Sequence, residues 1–403
     1  MNNKKDRRLL QINSTANWGS TGKIAEQIGE LAIANGWDSY IAYGRHCCQS
    51  KSRLIKVGSK LSQAWHLMIA RLFDKQGLGS RHATKRLIKQ IKEINPDIIH
   101  LHNIHGYYLN YKILFEYLNS VDTPVVWTLH DCWPFTGHCA HFVEQKCYKW
   151  EHKCSACPNR GSYPKSLSER AEENFTLKSM LFTRKQNLTL VPASNWLADF
   201  LKHSFFKDNK VNVICNGIDI NTFKPCPVQN HKRNIILGVS SVWSTSKGLD
   251  DFYKLCTLLD PDRYNITLVG LTQQQINSLP EGITGIERTS SAKELASLYN
   301  EATIFVNPTY ADTFPTTNLE ALACGTPVIT YRTGGSPEAI CPKSGIIVEQ
   351  GDITALKNAI EEICANGKEY YSDACRKRAE EHFDKNKCFM QYINLYNSLL
   401  TTK

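Results

Sequence analysis

Two carboxylates, Asp312 and Glu320, stand with seven residues between them in the stretch Ile304 to Ile329, which reads as strand, loop, short helix, glycine stop and strand. Asp312 falls in the loop beyond the strand, and Glu320 about one turn into the helix. A loop carboxylate can accept hydrogen bonds from a sugar hydroxyl, and a helical one can take both hydroxyls of a ribose. Between them, the start of the helix at Thr316, Thr317 and Asn318 offers unpaired backbone amides suited to a diphosphate. Upstream, Lys247 in the run Gly238 to Leu249 opens a helix after a strand, where an ammonium neutralises charge growing on a leaving diphosphate. Charged residues near loops are usually just solvated; the strand-loop-helix setting raises this pair above that reading.

Such groups need a scaffold that gathers loops at one edge, and the pattern along the chain supplies it. Short β-rich runs alternate with helical periods, as in parallel sheets crossed by helices. The first series has strands at 7–14, 38–44, 97–103, 124–131, 188–194 and 211–215, with a helix at 21–35. Its strands end in polar residues, including Ser14, Asn103, His130-Asp131, Ser194-Asn195 and Asn216-Gly217. In doubly wound sheets ligands sit at the carboxyl ends of strands, so these residues are expected to line one crevice. The Pro-containing stretch Phe223 to Pro227 reads as an interdomain linker. A second series follows, with strands at 234–241, 264–270, 283–289, 303–308, 327–331 and 345–348. The expectation is an α/β chain of two Rossmann-like, doubly wound domains facing a cleft. An enzyme is favoured over a binding module, and the fold alone would also suit an epimerase or a phosphorylase.

The carboxylate pair ahead of Ala323-Cys324-Gly325-Thr326-Pro327-Val328-Ile329 resembles glycosyltransferase family 4, whose signature is two glutamates at this spacing before such a turn and strand. Further stretches extend the likeness: Asn216-Gly217-Ile218-Asp219, Thr333-Gly334-Gly335-Ser336-Pro337-Glu338, and His130 in Thr128-Leu129-His130-Asp131. The resemblance implies the GT-B fold and retaining transfer of a sugar from a nucleotide diphosphate sugar, without a catalytic metal. It implies catalytic roles for His130, Lys247 and Asp312. It implies donor contacts at Gly19, Asn216, Ser241, Phe314, Thr316, Thr317, Asn318, Glu320, Gly334 and Gly335, with Glu320 on the ribose. Three positions depart from the family pattern. Asp312 replaces a glutamate, Pro315 replaces a glycine and brings no amide hydrogen, and Val242 replaces an arginine, for which Arg332 and Lys23 are substitute cations.

Asn17-Trp18-Gly19-Ser20-Thr21-Gly22-Lys23-Ile24 superficially suggests a nucleotide triphosphatase, but a P-loop needs Gly where Asn17 stands and Ser or Thr where Ile24 stands. The resemblance instead makes it a glycine-rich turn whose amides approach the donor phosphates or the acceptor. Thr21 is expected to cap the helix that follows.

Five of the fifteen cysteines lie between Cys132 and Cys157. Cys154-Ser155-Ala156-Cys157 has the two-residue spacing of tetrahedral zinc sites, and Cys139 and Cys147 complete four sulfurs. The insertion at 132–165 is long and poor in core residues, so a structural zinc at Cys139, Cys147, Cys154 and Cys157 is the expectation; four reduced thiols packed in a loop are the alternative. A colanic-acid and exopolysaccharide subgroup of the family looks similar here, with its Thr-Gly-x-Cys and Cys-x-x-Cys-Pro elements.

At 403 residues the chain suits two domains, here 1–222 and 223–382, with 383–403 a helix packing back on the first. Hydrophobic residues at 42% and charged residues at 21% exclude a disordered or membrane-embedded chain. The charged start, Met1 to Arg8, precedes an apolar run too short for a signal peptide, and no run spans a membrane, so a cytoplasmic protein with reduced thiols is expected. The net charge of +10 concentrates in residues 1–90, which hold sixteen Lys and Arg against five Asp and Glu. That bias suits an anionic partner. The helical stripe Leu61, Trp65, Met68, Ile69, Leu72 and Phe73 fits either the core or a bilayer surface, and the core is favoured because most such stripes are buried. The expected partners are a nucleotide diphosphate sugar, a saccharide or polyprenyl-diphosphate-linked acceptor and a peripheral contact with anionic membrane, with no nucleic acid. A nucleotide-sugar epimerase or a non-catalytic carbohydrate-binding protein are the rival readings.

Overall fold

A computed structural model describes residues 7–227 and 232–401, so the charged start Met1 to Asp6 lies outside the described residues. The chain divides into two compact units, one running to Cys215 and resuming at Phe389, the other Asn216–Cys388.

The first unit holds seven parallel strands: β1 (Arg7–Asn13), β2 (Trp37–Tyr43), β3 (Arg53–Lys56), β4 (Ile98–Leu101), β5 (Val125–Leu129), β6 (Leu188–Pro192) and β7 (Lys210–Val211). Their order in the sheet is β3-β2-β1-β4-β5-β6-β7. The central strands β4 and β5 are buried at every position, as expected of parallel strands covered on both faces. Leu9 pairs with Ile98, and Ile99 with Val125, in a register that stacks the apolar runs. The edge strand β3 escapes a reading by pattern because three of its four residues are exposed and no alternation shows. Its pairing with β2, Tyr40 to Arg53, is what makes it a strand. The first helix starts at Gly19 rather than Thr21. Trp18 occupies the cap without a side-chain bond, and Gly19 turns the chain at φ +66°.

The second unit holds β8 (Asn234–Val239), β9 (Tyr264–Val269), β10 (Ile283–Ile286), β11 (Ile304–Asn307), β12 (Val328–Tyr331) and β13 (Gly345–Val348) in the order β10-β9-β8-β11-β12-β13, all parallel. Both sheets therefore reverse their winding once, between β1 and β4 and between β8 and β11. Those points are where doubly wound sheets leave a crevice for ligands.

Three expectations change. Phe223 to Pro227 is not a free linker: Phe223 is buried, its carbonyl takes Arg376 Nη1 at 2.9 Å, and Asn300 clamps Lys224 O at 3.0 Å and Cys226 N at 2.9 Å. The insertion is not poor in core residues either. Trp133, Phe135, Phe142 and Trp150 are fully buried and join the main core of the first unit, with Phe142 and Trp150 ring centroids 4.9 Å apart. Last, the apolar stripe of the helix Lys60–Phe73 faces outward; only His66 and Ala70 of that helix are buried. No helix among the described residues is long and apolar enough to cross a membrane.

Candidate functional site

At the winding reversal of the second sheet, the loop after β8 meets the loop after β11. Lys247 does not open a helix. It closes a short 3₁₀ turn, Thr245–Lys247, ahead of Gly248, and the helix Leu249–Leu258 follows. Gly248 has φ +74°, and an added Cβ would sit 2.2 Å from Pro308 O, so only glycine lets the two loops close. Tyr310 N bonds to Ser246 O at 2.9 Å and joins them. The Lys247 ammonium then reaches Asp312 Oδ2 at 2.8 Å and Ala311 O at 3.0 Å. The two residues expected to act on different parts of a donor are thus an ion pair, each partly exposed. The other Asp312 oxygen accepts Phe314 N–H at 3.2 Å. The pair presents a cation and an anion side by side, the composition needed to hold a phosphate and a hydroxyl within a few ångströms of each other.

Beyond the loop, the helix Thr316–Ala323 starts at Pro315 with no capping side chain. The missing Pro315 amide therefore falls at the cap position, and the amides of Thr316, Thr317 and Asn318 form the first turn. The Asn318 side chain is fully buried and braces this turn: its oxygen accepts from Asn307 Nδ2 at 2.8 Å, and its nitrogen donates to Ser336 Oγ at 2.9 Å. Glu320 is half-buried, and the buried Tyr299 hydroxyl donates to its Oε2 at 2.9 Å, which fixes the carboxylate's direction. Phe314 packs inward against Phe383, and its carbonyl takes Asn216 Nδ2 at 3.1 Å. Asn216 and Phe314 thus hold the loop from behind. Gly334, at φ +57°, abuts the Asp312 carbonyl so closely that a Cβ would lie 1.6 Å from it, while Gly335 N bonds to Thr313 O at 3.1 Å. Ser241 is exposed in the bend after β8. Arg332 is bound at the surface to Glu349 at 2.6 Å, away from the Lys247–Asp312 pair's own contacts.

Pattern reading missed a clamp. Buried Asp251 accepts the Tyr310 hydroxyl at 2.7 Å and the Tyr331 hydroxyl at 2.9 Å on the same oxygen, tying the Asp312 loop to β12 and to the helix Leu249–Leu258. Burial, then the Asp251 carboxylate, pushes the Tyr310 hydroxyl up to about 12, so it stays a donor. The only signal in the sequence was an aspartate on the apolar side of a short helix.

In the first unit, His130 follows β5 and its Nε2 lies 3.1 Å from His102 Nδ1. His102 Nε2 lies 3.0 Å from Gln11 Oε1, and Gln11 Nε2 donates to Ala25 O at 2.8 Å. The amide orientation settles the protons. Gln11 Oε1 is an acceptor, so His102 Nε2 donates, His102 Nδ1 accepts, and His130 Nε2 donates to it. Burial keeps His102 well below the usual histidine range and takes His130 down to about 4, with Asp131 opposing the shift. His130 is therefore a neutral ring at pH 7 with Nδ1 as its acceptor nitrogen. Beside it, burial would raise Asp131, but His105, 2.9 Å away, holds it down to about 2. Gly19 starts the first helix after the loop that follows β1, and Lys23 is exposed on that helix.

Cys139, Cys147, Cys154 and Cys157 line one small pocket together with His138. Among the described residues, no three His, Cys, Asp or Glu side chains are placed so as to hold a metal ion, so the expected four-sulfur site is not drawn together. The donor chemistry nevertheless suits a thiophilic metal. Gly137 N–H points at Cys154 Sγ at 3.2 Å, His138 Nδ1 is 2.7 Å from buried Asp74, and His138 Nε2 is buried without a partner among the described residues. The buried Lys178 ammonium donates to Trp133 O at 2.8 Å and Thr136 O at 3.0 Å and lies 3.5 Å from the Trp133 ring centroid, and burial brings it down to about 7.

The profile of Glycosyltransferase Family 4 matches residues 66–222, and that of Glycosyl transferases group 1 matches residues 233–366. The putative colanic acid biosynthesis glycosyl transferase WcaC of Escherichia coli is 24% identical, over 97% of this chain and all of its own. The N,N'-diacetylbacillosaminyl-diphospho-undecaprenol alpha-1,3-N-acetylgalactosaminyltransferase of Campylobacter jejuni is 25% identical over 56% of this chain and 64% of its own. Among solved structures, sucrose-phosphate synthase of Thermosynechococcus elongatus superposes with a TM-score of 0.74 at 17% identity, covering 98% of this chain and all of that one. Anabaena HepE in complex with UDP superposes with a TM-score of 0.65 at 16% identity, covering 97% and 100%.

Proposed function

The chain belongs to the family 4 glycosyltransferases and has the GT-B fold, and we propose that it carries a sugar from a nucleoside diphosphate to a saccharide acceptor with retention and without a catalytic metal. The observation that carries the reading is the Lys247–Asp312 pair, held at the winding reversal of the second sheet beside the uncapped helix start at Thr316. In this reading Glu320, aimed by Tyr299, takes the ribose hydroxyls, and Asp312 takes a hydroxyl of the transferred sugar. Lys247 and the amides of Thr316, Thr317, Asn318, Gly334 and Gly335 meet the charge on the departing diphosphate. The bond from the anomeric carbon to the phosphate oxygen breaks while the acceptor oxygen bonds to that carbon from the same face. The acceptor's proton passes to the leaving phosphate oxygen. His130, a neutral ring, accepts a sugar hydroxyl at Nδ1.

The acceptor is a polyprenyl-diphosphate-linked saccharide in the building of an exopolysaccharide, capsule or O-antigen. The names of the Escherichia coli and Campylobacter jejuni relatives support that step. Cys139, Cys147, Cys154 and Cys157 line one pocket, and drawn together they would be the four sulfurs of a structural zinc that firms the insertion. Metal analysis of protein purified without chelator tests this, and less than about a tenth of an equivalent of zinc sinks it.

A thermal-shift panel of uridine, guanosine and adenosine diphosphate sugars identifies the donor, since a ligand at about 100 times its Kd stabilises by about 2.7 kcal/mol. With that donor, Lys247→Ala is expected to lose most turnover while keeping its melting temperature. Near-normal turnover overturns the assignment, and conversion of donor alone to an epimer overturns the transferase reading.

A further inference from the structure

Asp131 and His105 are buried next to His130, yet sugar transfer as derived above uses neither. The Asp131 carboxylate is fully engaged: its Oδ2 lies 2.9 Å from His105 Nε2, and its Oδ1 accepts Trp133 N–H at 2.9 Å. A carboxylate only accepts, so His105 Nε2–H donates to it, and the other ring nitrogen meets the Tyr163 hydroxyl at 3.0 Å. Two buried groups thus fix the hydroxyl of a tyrosine that is itself 43% exposed.

Around that hydroxyl stand donors without partners. Tyr107 is 8% exposed and Gln76 4%, and the Tyr107 hydroxyl and Gln76 Nε2 are buried with no hydrogen bond among the described residues. Such atoms are costly unless a ligand or water bonds them. The Tyr107 ring stands edge-on to Tyr163, with centroids 6.4 Å apart. Gln76 Oε1 is already taken by the Trp133 indole N–H, so its amide nitrogen is the open end, and it faces the Tyr163 hydroxyl without closing a bond to it. Tyr107 also sits at φ +69°, a left-handed conformation that a tyrosine adopts only at a cost and that recurs at ligand clamps.

Two cations border these donors. Gly44 lies so near the Tyr108 ring that an added Cβ would collide with it, which seats Arg45, exposed just beyond β2, against the Tyr107–Tyr108 loop. Arg71 O accepts Leu167 N–H at 2.7 Å and Ser166 Oγ–H at 3.2 Å, which brings Arg71 to the segment that carries Tyr163. Burial raises the Tyr107 hydroxyl, and the Arg71 and Arg45 guanidiniums oppose the rise. Among the described residues of the first unit, the one arginine in an ion pair is Arg53, with Asp38, so Arg45 and Arg71 bring charge that no carboxylate balances.

The strong acceptors of this cluster, the Asp131 carboxylate and the Gln76 carbonyl, are therefore used, and the open groups donate or are positive. The partner that completes it must bring oxygens and negative charge. We infer that Arg45, Arg71, Gln76, Tyr107 and Tyr163 form a subsite for an acidic sugar unit of the acceptor, one that bears a carboxylate or a phosphate, with the Tyr163 ring as the surface on which the sugar rests. Arg45, Tyr107 and Asp131 follow β2, β4 and β5, so the subsite lies at the carboxyl ends of the first sheet, where ligands bind in such sheets. The inference rests on the reading of a saccharide acceptor and adds that this acceptor is anionic.

Saturation-transfer NMR of the full chain with methyl β-D-glucuronide, glucose 6-phosphate and the neutral methyl β-D-glucoside tests it, with no nucleotide sugar present. At least one anionic sugar is expected to bind about tenfold or more tighter than the glucoside; the glucuronide alone assigns a uronic acid, and the phosphate alone a sugar phosphate. Arg45→Gln, at an exposed position, and Tyr107→Phe, which deletes one oxygen, are expected to weaken that binding about tenfold and about fivefold at an unchanged melting temperature. Equal affinity for the glucoside, binding of neither anionic sugar, inorganic phosphate binding as tightly as the anionic sugar, or an Arg45→Gln variant that binds like wild type would each overturn the proposal. Because no donor is present, failure of the subsite leaves transfer to a neutral acceptor as a separate measurement, and failure of transfer leaves anion binding as it stands.

Discussion

Replacing Gly334 by alanine tests whether the Asp312 loop is held where it is for chemistry. At φ +57° an L side chain costs about 1–2 kcal/mol from backbone sterics alone. The added Cβ would then stand 1.6 Å from the Asp312 carbonyl oxygen, and ordinary contacts begin near 3.0 Å, so the two backbones must part by about 1.4 Å. They cannot part freely, because Gly335 N holds Thr313 O at 3.1 Å and Lys247 holds the Asp312 carboxylate at 2.8 Å. The strain adds about 1–3 kcal/mol, and at about 2–4 °C per kcal/mol the transition of this unit should fall by several degrees. Turnover should suffer more, since misplacing a positioning group by about 1 Å costs on the order of 100-fold. Gly36→Ala is the control: its φ is +80° but nothing lies within 4 Å of the added Cβ, so it carries the backbone cost without the clash. Melting temperature and kcat/KM of both variants are the measurements. A Gly334→Ala enzyme within about threefold of wild type in kcat/KM would refute the reasoning, whatever its stability.

Gln11→Leu removes the acceptor that sets the His102 tautomer, and is expected to turn the His130 ring so that it no longer offers Nδ1 as acceptor; kcat/KM should fall about tenfold. Nitrogen-15 shifts of His130 read the tautomer directly, and an unchanged Nε2–H form would contradict the relay from Gln11. Asp251→Asn keeps the size of the clamp but weakens its charged hydrogen bonds to Tyr310 and Tyr331 by about 1–2 kcal/mol; a lower melting temperature with a raised donor KM is the expected pair of changes. Stability should also fall as pH drops from about 6.5 to about 4. Burial holds His66 near 4, and its Nε2 accepts two backbone N–H groups, so in that window the unfolded chain binds more protons than the folded one. The loss is bounded at about 3 kcal/mol for His66, while Asp131, held near 2, titrates below the window. A flat stability profile from pH 6.5 to 4 would contradict this.

The second sheet was legible because its strands are short apolar runs bounded by turn residues, and the strand-loop-helix around Asp312 and Glu320 came out as read. The edge strand β3 was not, because edge pairing needs no apolar pattern. At the site, residue types marked Lys247 and Asp312 but not their pairing, which depends on Gly248 and Gly334 letting three loops close to backbone contact. The Tyr310–Asp251–Tyr331 clamp and the Gln11–His102–His130 chain were invisible for the same reason: their members sit on different strands and helices, and only the parallel register brings them together. The helix Lys60–Phe73 shows the reverse limit. Periodicity located its apolar stripe but carries no sign for inward or outward, and it is His66, a polar residue off the stripe, whose two backbone hydrogen bonds decide which way the stripe faces.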